Sequence, residues 1–441
     1  MYPSSLYYIA LQDVLGFASK SLVPVLLKYK NPEEIFRQSK QSLMQDGLLS
    51  KAQLDRVCDQ CVERAEKTLC FCENSGITVI PYGDGRYPKS LLQIPDPPAV
   101  LYVMGDLPKS DGQPFITIVG SRKPTVYGAL SAFNLSRALC SAGFVVVSGG
   151  ALGIDSAAHE GALDVGGKTV AVLGTGFFAN YLMRQEPLRR RICQNGALVT
   201  EFPPKMPARR YSFPMRNRII SALSLGTAVI QASERSGSLI TASYASEQGR
   251  DVFALPGHAG EDCFAGSNNL IKNGAKPIFT FKDIAEEYDR LFVGKIDLAA
   301  GEQCRVKDGL PESLSESVND GGFRAPKAPR PKSKKNLTFD GGNGLAKGYG
   351  TKDRAAGSDR SDGISEDPAE SINKKFTEEQ FQRDLSDDAR VVYNSFKKNI
   401  ALFDELSENS CLDSGRLLCA LTELELEGLV SALSGNRYEK L

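Results

Sequence analysis

Histidine is scarce in this sequence, with His159 and His258 as its two examples in 441 residues. No G-x-S-x-G elbow occurs either, which leaves no recognisable histidine-based catalytic triad. Uncharged apolar runs of 18 residues are missing, and the N-terminus has no basic segment ahead of an apolar one. These absences favour a soluble cytoplasmic protein that is not an enzyme of the classical hydrolase types.

Net charge is also absent, because 53 basic side chains balance 53 acidic ones. Any charge that attracts a ligand must therefore be local. One local concentration of positive charge lies at residues 184–218, where the acidic residues are Glu186 and Glu201. The spread of its nine cations suits an extended polyanion better than a mononucleotide. They are Arg184, Arg189, Arg190, Arg191, Lys205, Arg209, Arg210, Arg216 and Arg218. For Arg189 to Arg191 a solvated helix face is the alternative.

Ten cysteines are too few and too scattered for a disulfide framework, so we expect reduced thiols. The spacing Cys58-x-x-Cys61 followed by Cys70-x-Cys72 is one that zinc sites use. The same region also forms one helical stripe of Leu54, Val57, Cys58, Cys61 and Ala65. Such a stripe favours a role for these cysteines as small side chains in the core. We therefore predict neither a metal nor a cofactor.

Composition divides the chain into four parts. Residues 1–72 have helical spacing and predict a small helical module. Residues 76–295 alternate short apolar runs with helix-length segments. Residues 297–385 are rich in Gly, Pro and Ser and predict a disordered linker. Residues 387–441 have the element order of a winged helix.

The apolar runs of the second part predict a parallel sheet. Each run is apolar at nearly every position, as in strands covered on both faces, and the spacing leaves room for crossover helices. We predict an α/β protein whose core is an extended Rossmann-like, mostly parallel sheet. The predicted strands are residues 115–119, 144–147, 169–173, 197–199, 227–230, 252–255 and 277–279.

Small residues follow three of these strands. Because the carboxyl ends of parallel strands meet at one edge of a sheet, their loops can together form a phosphate-binding trough of backbone N–H groups and helix N-termini. Tight strand-to-helix turns are the alternative reading of the glycines. The residues concerned are Gly120, Ser121 and Arg122 after the first strand, Ser148, Gly149 and Gly150 after the second, and Gly174 after the third.

Two later segments extend the predicted trough. One combines an aromatic ring, two guanidinium groups and an amide in Phe213, Arg216, Asn217 and Arg218, and the other opens a helix with Ser236, Gly237 and Ser238. Arginine pairs with phosphate and an aromatic ring stacks on bases of any sequence. A core phenylalanine with solvated arginines is the alternative.

Two patterns point to other chemistry and are weaker. The run from Gly174 to Ala179 matches G-x-G-x-x-A, but it follows the third main strand rather than the first, so we do not predict dinucleotide binding. Asp155 and His159 stand at i and i+4 and have the spacing of a metal or water site. A polar network that holds the loop before them is the favoured interpretation.

Six ordered motifs resemble the core of the DNA-processing protein A family (DprA, also called Smf). They are VGSRKPTVYG, VVVSGGALGIDSAAHEGAL, TVAVLGTG, FPMRNRIISALS, SGSLITASYASEQGRDVFALPG and GSNNLIKNGA, within residues 75–282. The resemblance implies a non-enzymatic protein that binds single-stranded DNA, helps to load a RecA-type recombinase during natural transformation, and forms a homodimer. It also implies that the N-terminal module is similar to a SAM or helix-hairpin-helix module. By motif match it carries DNA contact onto Ser121, Arg122, Ser148, Gly149, Phe213, Arg216, Asn217, Arg218, Ser236, Gly237 and Ser238.

The sequence departs from the family pattern at several points. Leu152 stands where many members have arginine, and Asn180-Tyr181-Leu182 replaces the usual Tyr-Pro pair. The C-terminal module holds more acidic than basic side chains, so we expect protein binding or packing from it rather than insertion into DNA. A Rossmann enzyme that binds nucleotides or cleaves nucleoside monophosphates is the alternative function, although its P-G-G-x-G-T signature is absent.

Overall fold

Nine strands form one sheet in the computed structural model, which describes residues 3–109, 112–181, 185–315, 386–396, 399–426, 429–433 and 437–440. The spatial order is β1-β2-β6-β5-β4-β3-β7-β8-β9. Strands β3 to β9 run parallel, and β1 and β2 are antiparallel additions at one edge. The strands are β1 (Thr78–Pro81), β2 (Val100–Gly105), β3 (Phe115–Val119), β4 (Val145–Ser148), β5 (Thr169–Val172), β6 (Gly196–Thr200), β7 (Gly226–Val229), β8 (Asp251–Ala254) and β9 (Lys276–Pro277).

The central strands are buried on both faces, which explains their unbroken apolar sequence. Side chains alternate between the faces, so Ile116 and Ile118 pack into one core cluster while Phe115 and Val119 pack into another. The first cluster is covered by α7 (Val126–Ser141) and α8 (Ile154–Asp164), and the second by α10 (Ser212–Leu223) and α11 (Ser238–Glu247). The predicted Rossmann-like fold is confirmed.

Three further helices complete this part of the chain: α9 (Glu186–Asn195), α12 (Asp262–Lys272) and α13 (Lys282–Tyr288). Strands β1 and β2 were not predicted. They are short and joined by a loop with one 3-10 turn at Lys89–Gln93, so they lack the strand-helix-strand spacing that reveals the other strands. Strand β2 pairs Met104 with Leu198 of β6.

Six helices precede the sheet, as the spacing of residues 1–72 predicts. They are α1 (Pro3–Leu15), α2 (Leu22–Tyr29), α3 (Glu33–Arg37), α4 (Lys40–Gln45), α5 (Lys51–Arg56) and α6 (Asp59–Asn74). Ser50 and Gln53 form a reciprocal capping box at the start of α5. Of the predicted small-residue stripe, Cys61 and Ala65 are buried whereas Cys58 is exposed.

The predicted linker begins too early. Residues 298–315 contain helices α14 (Leu298–Gln303) and α15 (Glu312–Ser315), which pack on the sheet domain. Leu314 is 2% exposed, and the Lys307 ammonium lies 2.6 Å from an Asp164 carboxylate oxygen. These contacts are spread thinly over a polar segment, which is why its composition resembles that of a linker. Residues 316–385 of the predicted linker lie outside the described residues.

The C-terminal module is a winged helix, as predicted. It contains α16 (Asp387–Ser395), β10 (Ile400–Leu402), α17 (Phe403–Ser410), α18 (Ser414–Leu426), β11 (Val430–Leu433) and β12 (Arg437–Lys440). Its three strands pair in the order β10-β12-β11, and buried residues such as Leu406 and Leu421 fill its core. Residues 434–436, between β11 and β12, lie outside the described residues. No helix in the described part of the chain is long and apolar enough to cross a membrane.

Candidate nucleic-acid interface

A cavity of about 630 Å³ opens where the connections of the sheet change direction. Strand β3 pairs with β4 on one side and with β7 on the other, so the loops after β3 and β7 diverge and leave a crevice at their carboxyl ends. We call this cavity the trough. Nine of the predicted site residues line it: Gly120, Ser121, Arg122, Phe213, Arg216, Asn217, Ser236, Gly237 and Ser238.

The first wall of the trough is the turn after β3. A side chain at Gly120 would lie 2.7 Å from Ile154 and 2.9 Å from the Gln231 carbonyl oxygen, so only glycine fits this close approach. The backbone N–H of Ser121 donates to that same carbonyl oxygen at 2.7 Å. This bond fixes the turn and leaves the Arg122 side chain exposed.

The second wall is aromatic. The Arg122 guanidinium lies 5.7 Å from the centroid of the Phe213 ring, and the Tyr181 ring lies 5.0 Å from it. Both rings are half-buried and both line the trough. Gly174 supports this wall from behind, because a Cβ there would lie 2.7 Å from Phe213 Cδ1. The wall therefore presents flat rings beside an exposed cation, which suits unpaired bases on a charged backbone.

The floor of the trough is a buried ionic network. Arg216 is 5% exposed and donates from Nη1 to the carbonyl oxygens of Gly149, at 2.6 Å, and Val172. Asp155 accepts from the backbone N–H groups of Gly149 and Ala151 at 3.1 and 3.3 Å. The predicted network that holds this loop is therefore present, and Asp155 is engaged in it.

Burial governs the protonation of this floor. It lowers the pKa of Arg216 to about 10, while the neighbouring Asp155 carboxylate acts in the opposite direction. Burial likewise raises the pKa of Asp155, and Arg216 opposes that shift. Gly149 lies between the two groups, since a Cβ on it would be 2.7 Å from Asp155 Oδ2 and 2.8 Å from Arg216 Nη2. Arg216 thus combines a structural role with a positive charge at the base of the trough.

Arg218 does not reach the trough. Its side chain is 0% exposed and pairs with Glu201 at 2.6 Å and with Asp96 at 3.3 Å. Residues two apart on a helix point to nearly opposite sides, so Arg216 and Arg218 cannot share one surface. Arg218 stabilises the packing of α10 on the core instead.

Ser148 and Gly150 lie beneath the trough rather than on its surface. The Ser148 hydroxyl is buried and donates to the Ile118 carbonyl oxygen at 2.6 Å. Gly150 has φ of +63°, a left-handed conformation that favours glycine. Like Gly149 and Gly174, these residues shape the trough by their small size.

The third wall is the start of α11. The Ser236 and Ser238 hydroxyls lie 2.8 Å apart, and Gly237 has open space where a side chain would be. Asn217 donates from its side-chain amide to the Gly237 carbonyl oxygen at 3.4 Å, which links this wall to the second. The Ser238 N–H donates to Ser236 Oγ at 3.4 Å and the Leu239 N–H donates to the Ser236 carbonyl oxygen at 3.0 Å, so the loop itself caps this helix. The positive end of the dipole of this ten-residue helix still attracts anions to the wall.

The basic cluster at residues 184–218 is only partly assembled at the trough, where Arg210 and Arg216 line the surface. Arg190 pairs with Glu186 at 3.1 Å and Arg191 pairs with Glu160 at 2.8 Å, while Arg184 lies outside the described residues. The solvated-face alternative therefore describes Arg190 well. The lining residues that were not predicted include Tyr181, Arg235 and Thr422.

Asp155 and His159, the pair with metal-site spacing, do not face each other. His159 is fully buried, its Nδ1 lies 2.7 Å from Thr169 Oγ1, and burial lowers its pKa to about 3. Asp155 and His159 therefore bind different partners. Among the described residues no group of three or more His, Cys, Asp and Glu side chains is placed to hold a metal ion.

A parallel sheet with a cationic crevice at its switch point defines the class of Rossmann-like proteins, in which such a crevice is the usual place for nucleotide or nucleic-acid ligands. Comparison with known proteins narrows this class. The family of DNA recombination-mediator protein A matches residues 78–289, and the DprA winged helix domain matches residues 377–436. The chain belongs to the DNA recombination-mediator protein A family.

Individual relatives agree with this assignment. DNA processing protein DprA of Bacillus subtilis is 40% identical over 239 residues, which cover 54% of this chain and 80% of that one. Protein Smf of Escherichia coli is 40% identical over 245 residues, covering 55% and 65% of the two chains. The crystal structure of DprA from Streptococcus pneumoniae superposes with a TM-score of 0.56 at 31% identity, covering 65% of this chain and 99% of that one. These similarities assign the chain a role in DNA processing as a recombination mediator.

Proposed function

We propose that the protein binds single-stranded DNA in the trough without turning it over, and that it helps to load a RecA-type recombinase on that strand during natural transformation. The family assignment supports the recombination role. The observation that carries the DNA site is the stacking of Arg122 on Phe213 at the mouth of the trough. One contact supplies both the positive charge and the aromatic surface that an unpaired strand uses.

The site is proposed to read backbone and base planes rather than base edges. Its donors are the guanidinium groups of Arg122 and Arg216 and the hydroxyl groups of Ser236 and Ser238, all of which suit phosphate oxygens. The rings of Tyr181 and Phe213 accept any base by stacking. We infer that affinity is independent of sequence and higher for single strands than for duplex.

A nucleotide-processing enzyme is the less favoured function. Its acid would have to be Asp155, which lines the trough, yet this carboxylate already accepts two backbone hydrogen bonds and faces Arg216. His159 is buried without access to the trough. The proposed function therefore involves no catalytic residue, no cofactor and no metal.

The proposed partners follow from the family resemblance. They are single-stranded DNA, a RecA-type recombinase and a second copy of this chain, and the proposed location is the cytoplasm. The proposed DNA contacts are the nine lining residues, with Ser148, Gly149, Gly150 and Gly174 shaping the trough from below and Arg218 stabilising α10.

A titration of the full chain tests the function. Fluorescence anisotropy of a labelled oligo-dT is measured at several salt concentrations, beside the same measurement on a duplex of equal length. We expect tighter binding to the single strand and a linear fall of log K with log salt. Equal affinity for the duplex contradicts the proposal, and release of a base or sugar from nucleoside monophosphates supports the enzymatic alternative.

A further inference from the structure

The winged-helix module lies on the helix that forms the third wall of the trough. Helix α18 packs against α11. The Tyr244 hydroxyl of α11 lies 3.4 Å from Cys419 Sγ of α18, and a Cβ on Gly415 would lie 2.9 Å from a Glu247 carboxylate oxygen. A third contact joins the module to the N-terminal helices, because Lys20 Nζ lies 3.2 Å from Asp413 Oδ2.

One residue of α18 reaches the trough itself. Thr422 follows Cys419 by three positions and so shares its helix face. It lines the trough together with Arg235, Gly237 and Ser238. The docked module therefore covers part of the third wall, where the N-terminus of α11 is best placed to bind phosphate.

The chemistry of the module is unfavourable for a DNA strand. Residues 387–441 contain six basic and ten acidic side chains. The one cation of α18, Arg416, is already held by both carboxylate oxygens of Asp388, one of them at 2.8 Å. A DNA strand that continued across Ser236 and Ser238 would approach a module of net negative charge, which repels phosphates and so provides no second binding surface.

Two of the contacts that hold the module are weak and polar. Lys20 and Asp413 are both substantially exposed, and an exposed ion pair contributes little free energy in water. The hydroxyl–thiol contact of Tyr244 and Cys419 is a weak hydrogen bond. Such an interface can open on binding of a competing ligand without unfolding either part.

We propose that the winged-helix module is an intramolecular competitor of single-stranded DNA, docked on the third wall of the trough in the free protein and displaced when a strand binds. This inference rests on the proposed function of the trough. Only the undocked fraction of the protein then has the full site, so docking lowers the apparent affinity for DNA. By reciprocity, DNA lowers the affinity of the module for α11 and exposes α18.

The reactivity of Cys419 reports on docking directly. In the docked state burial raises the pKa of this thiol to about 12, and alkylation requires the thiolate. The full chain is treated with iodoacetamide with and without saturating oligo-dT, and alkylation of each cysteine is followed by mass spectrometry. We expect oligo-dT to accelerate alkylation of Cys419 several-fold and to leave Cys140, buried in the sheet domain, unchanged. Unchanged or slower alkylation of Cys419 overturns the proposal, the slower result showing that module and strand bind together.

Two substitutions distinguish an effect of docking on DNA affinity from an effect of net charge. Lys20→Glu makes the protein more negative, whereas Asp413→Asn makes it less negative and keeps an N-cap oxygen for the Arg416 N–H. Both break the Lys20–Asp413 ion pair, so both should speed alkylation of Cys419 without DNA and raise oligo-dT affinity about twofold to fivefold. Affinity changes of opposite sign, following net charge, overturn the proposal. So does faster alkylation with unchanged DNA affinity. Absence of oligo-dT binding by every variant and by the natural sequence contradicts the proposed function instead.

Discussion

The Arg122 guanidinium lies over the Phe213 ring, 5.7 Å from its centroid, although the two residues are 91 positions apart in sequence. They meet because β3 ends and α10 begins at the switch point of the sheet. The pair joins the first and second walls of the trough. It is the arrangement on which the DNA-binding proposal depends most.

Replacing Arg122 by alanine should weaken binding to all single strands alike. Removal of one neutralised phosphate should reduce the slope of log K against log salt by about 0.7. The measurement is an oligo-dT titration at several salt concentrations. Arg190→Ala is the matched control, since Arg190 is exposed and does not line the trough. An unchanged slope in a folded Arg122→Ala protein would place the DNA site elsewhere.

Replacing Phe213 by leucine should weaken binding for a different reason. Leucine keeps the apolar contact with Gly174 but offers no flat surface, and loss of base stacking costs about 1–3 kcal/mol per base. The salt slope should stay the same because no charge is removed. Phe213→Tyr retains the ring and should bind as the natural protein does. A change of slope in Phe213→Leu would show that the ring acts by positioning Arg122.

Arg218→Met should lower stability rather than DNA affinity. It leaves the buried Glu201 carboxylate and its neighbour Asp96 without their cation, and breaking a buried pair costs about 3–5 kcal/mol. Urea unfolding measures the loss, and oligo-dT binding by the folded fraction should be unchanged. Arg86→Met, which breaks an exposed pair with Asp84, should cost less than about 1 kcal/mol. A purely DNA-binding defect in Arg218→Met would contradict this role.

The buried His159 should make stability depend on acid pH. Its folded pKa of about 3 lies below the ordinary value of 6.5, so the unfolded chain binds a proton first as pH falls. Stability is therefore lost progressively from pH 6.5 downwards, by about 1.4 kcal/mol for each pH unit well below 6.5. His159→Asn should flatten this dependence between pH 6 and pH 4 in urea unfolding curves. An unchanged pH dependence in a folded His159→Asn protein would show that other groups cause it.

The sequence carried enough information to predict the sheet and most of the trough. Continuous apolar strands and Gly-rich turns are local signals, and the rule that such turns share one edge brings Ser121, Phe213 and Ser238 together. What local signals do not carry is the direction of a side chain. Arg216 and Arg218 belong to one motif, yet only the folded helix shows that one faces the trough and the other Glu201.

Other features depend on contacts between distant segments. Strand β2 is recognised only through its pairing with β6, which begins 91 residues further on. Thr422 enters the trough because α18 docks on α11, and nothing in the pattern of either helix indicates this. Residues 298–315 resemble a linker because a few isolated side chains hold them to the core.

The boundary of that core can be tested within one short segment. Leu314 is 2% exposed and packs against the cluster under α7 and α8, whereas Val306 is 73% exposed. If residues 298–315 belong to the folded core, Leu314→Ala removes buried apolar contacts and should cost about 2–4 kcal/mol, while Val306→Ala should change stability by less than about 0.5 kcal/mol. Urea unfolding of both full-length variants gives the two values. Equal and negligible effects would show that the segment belongs to the linker, because shortening a side chain that makes no packed contacts does not change the free energy of unfolding.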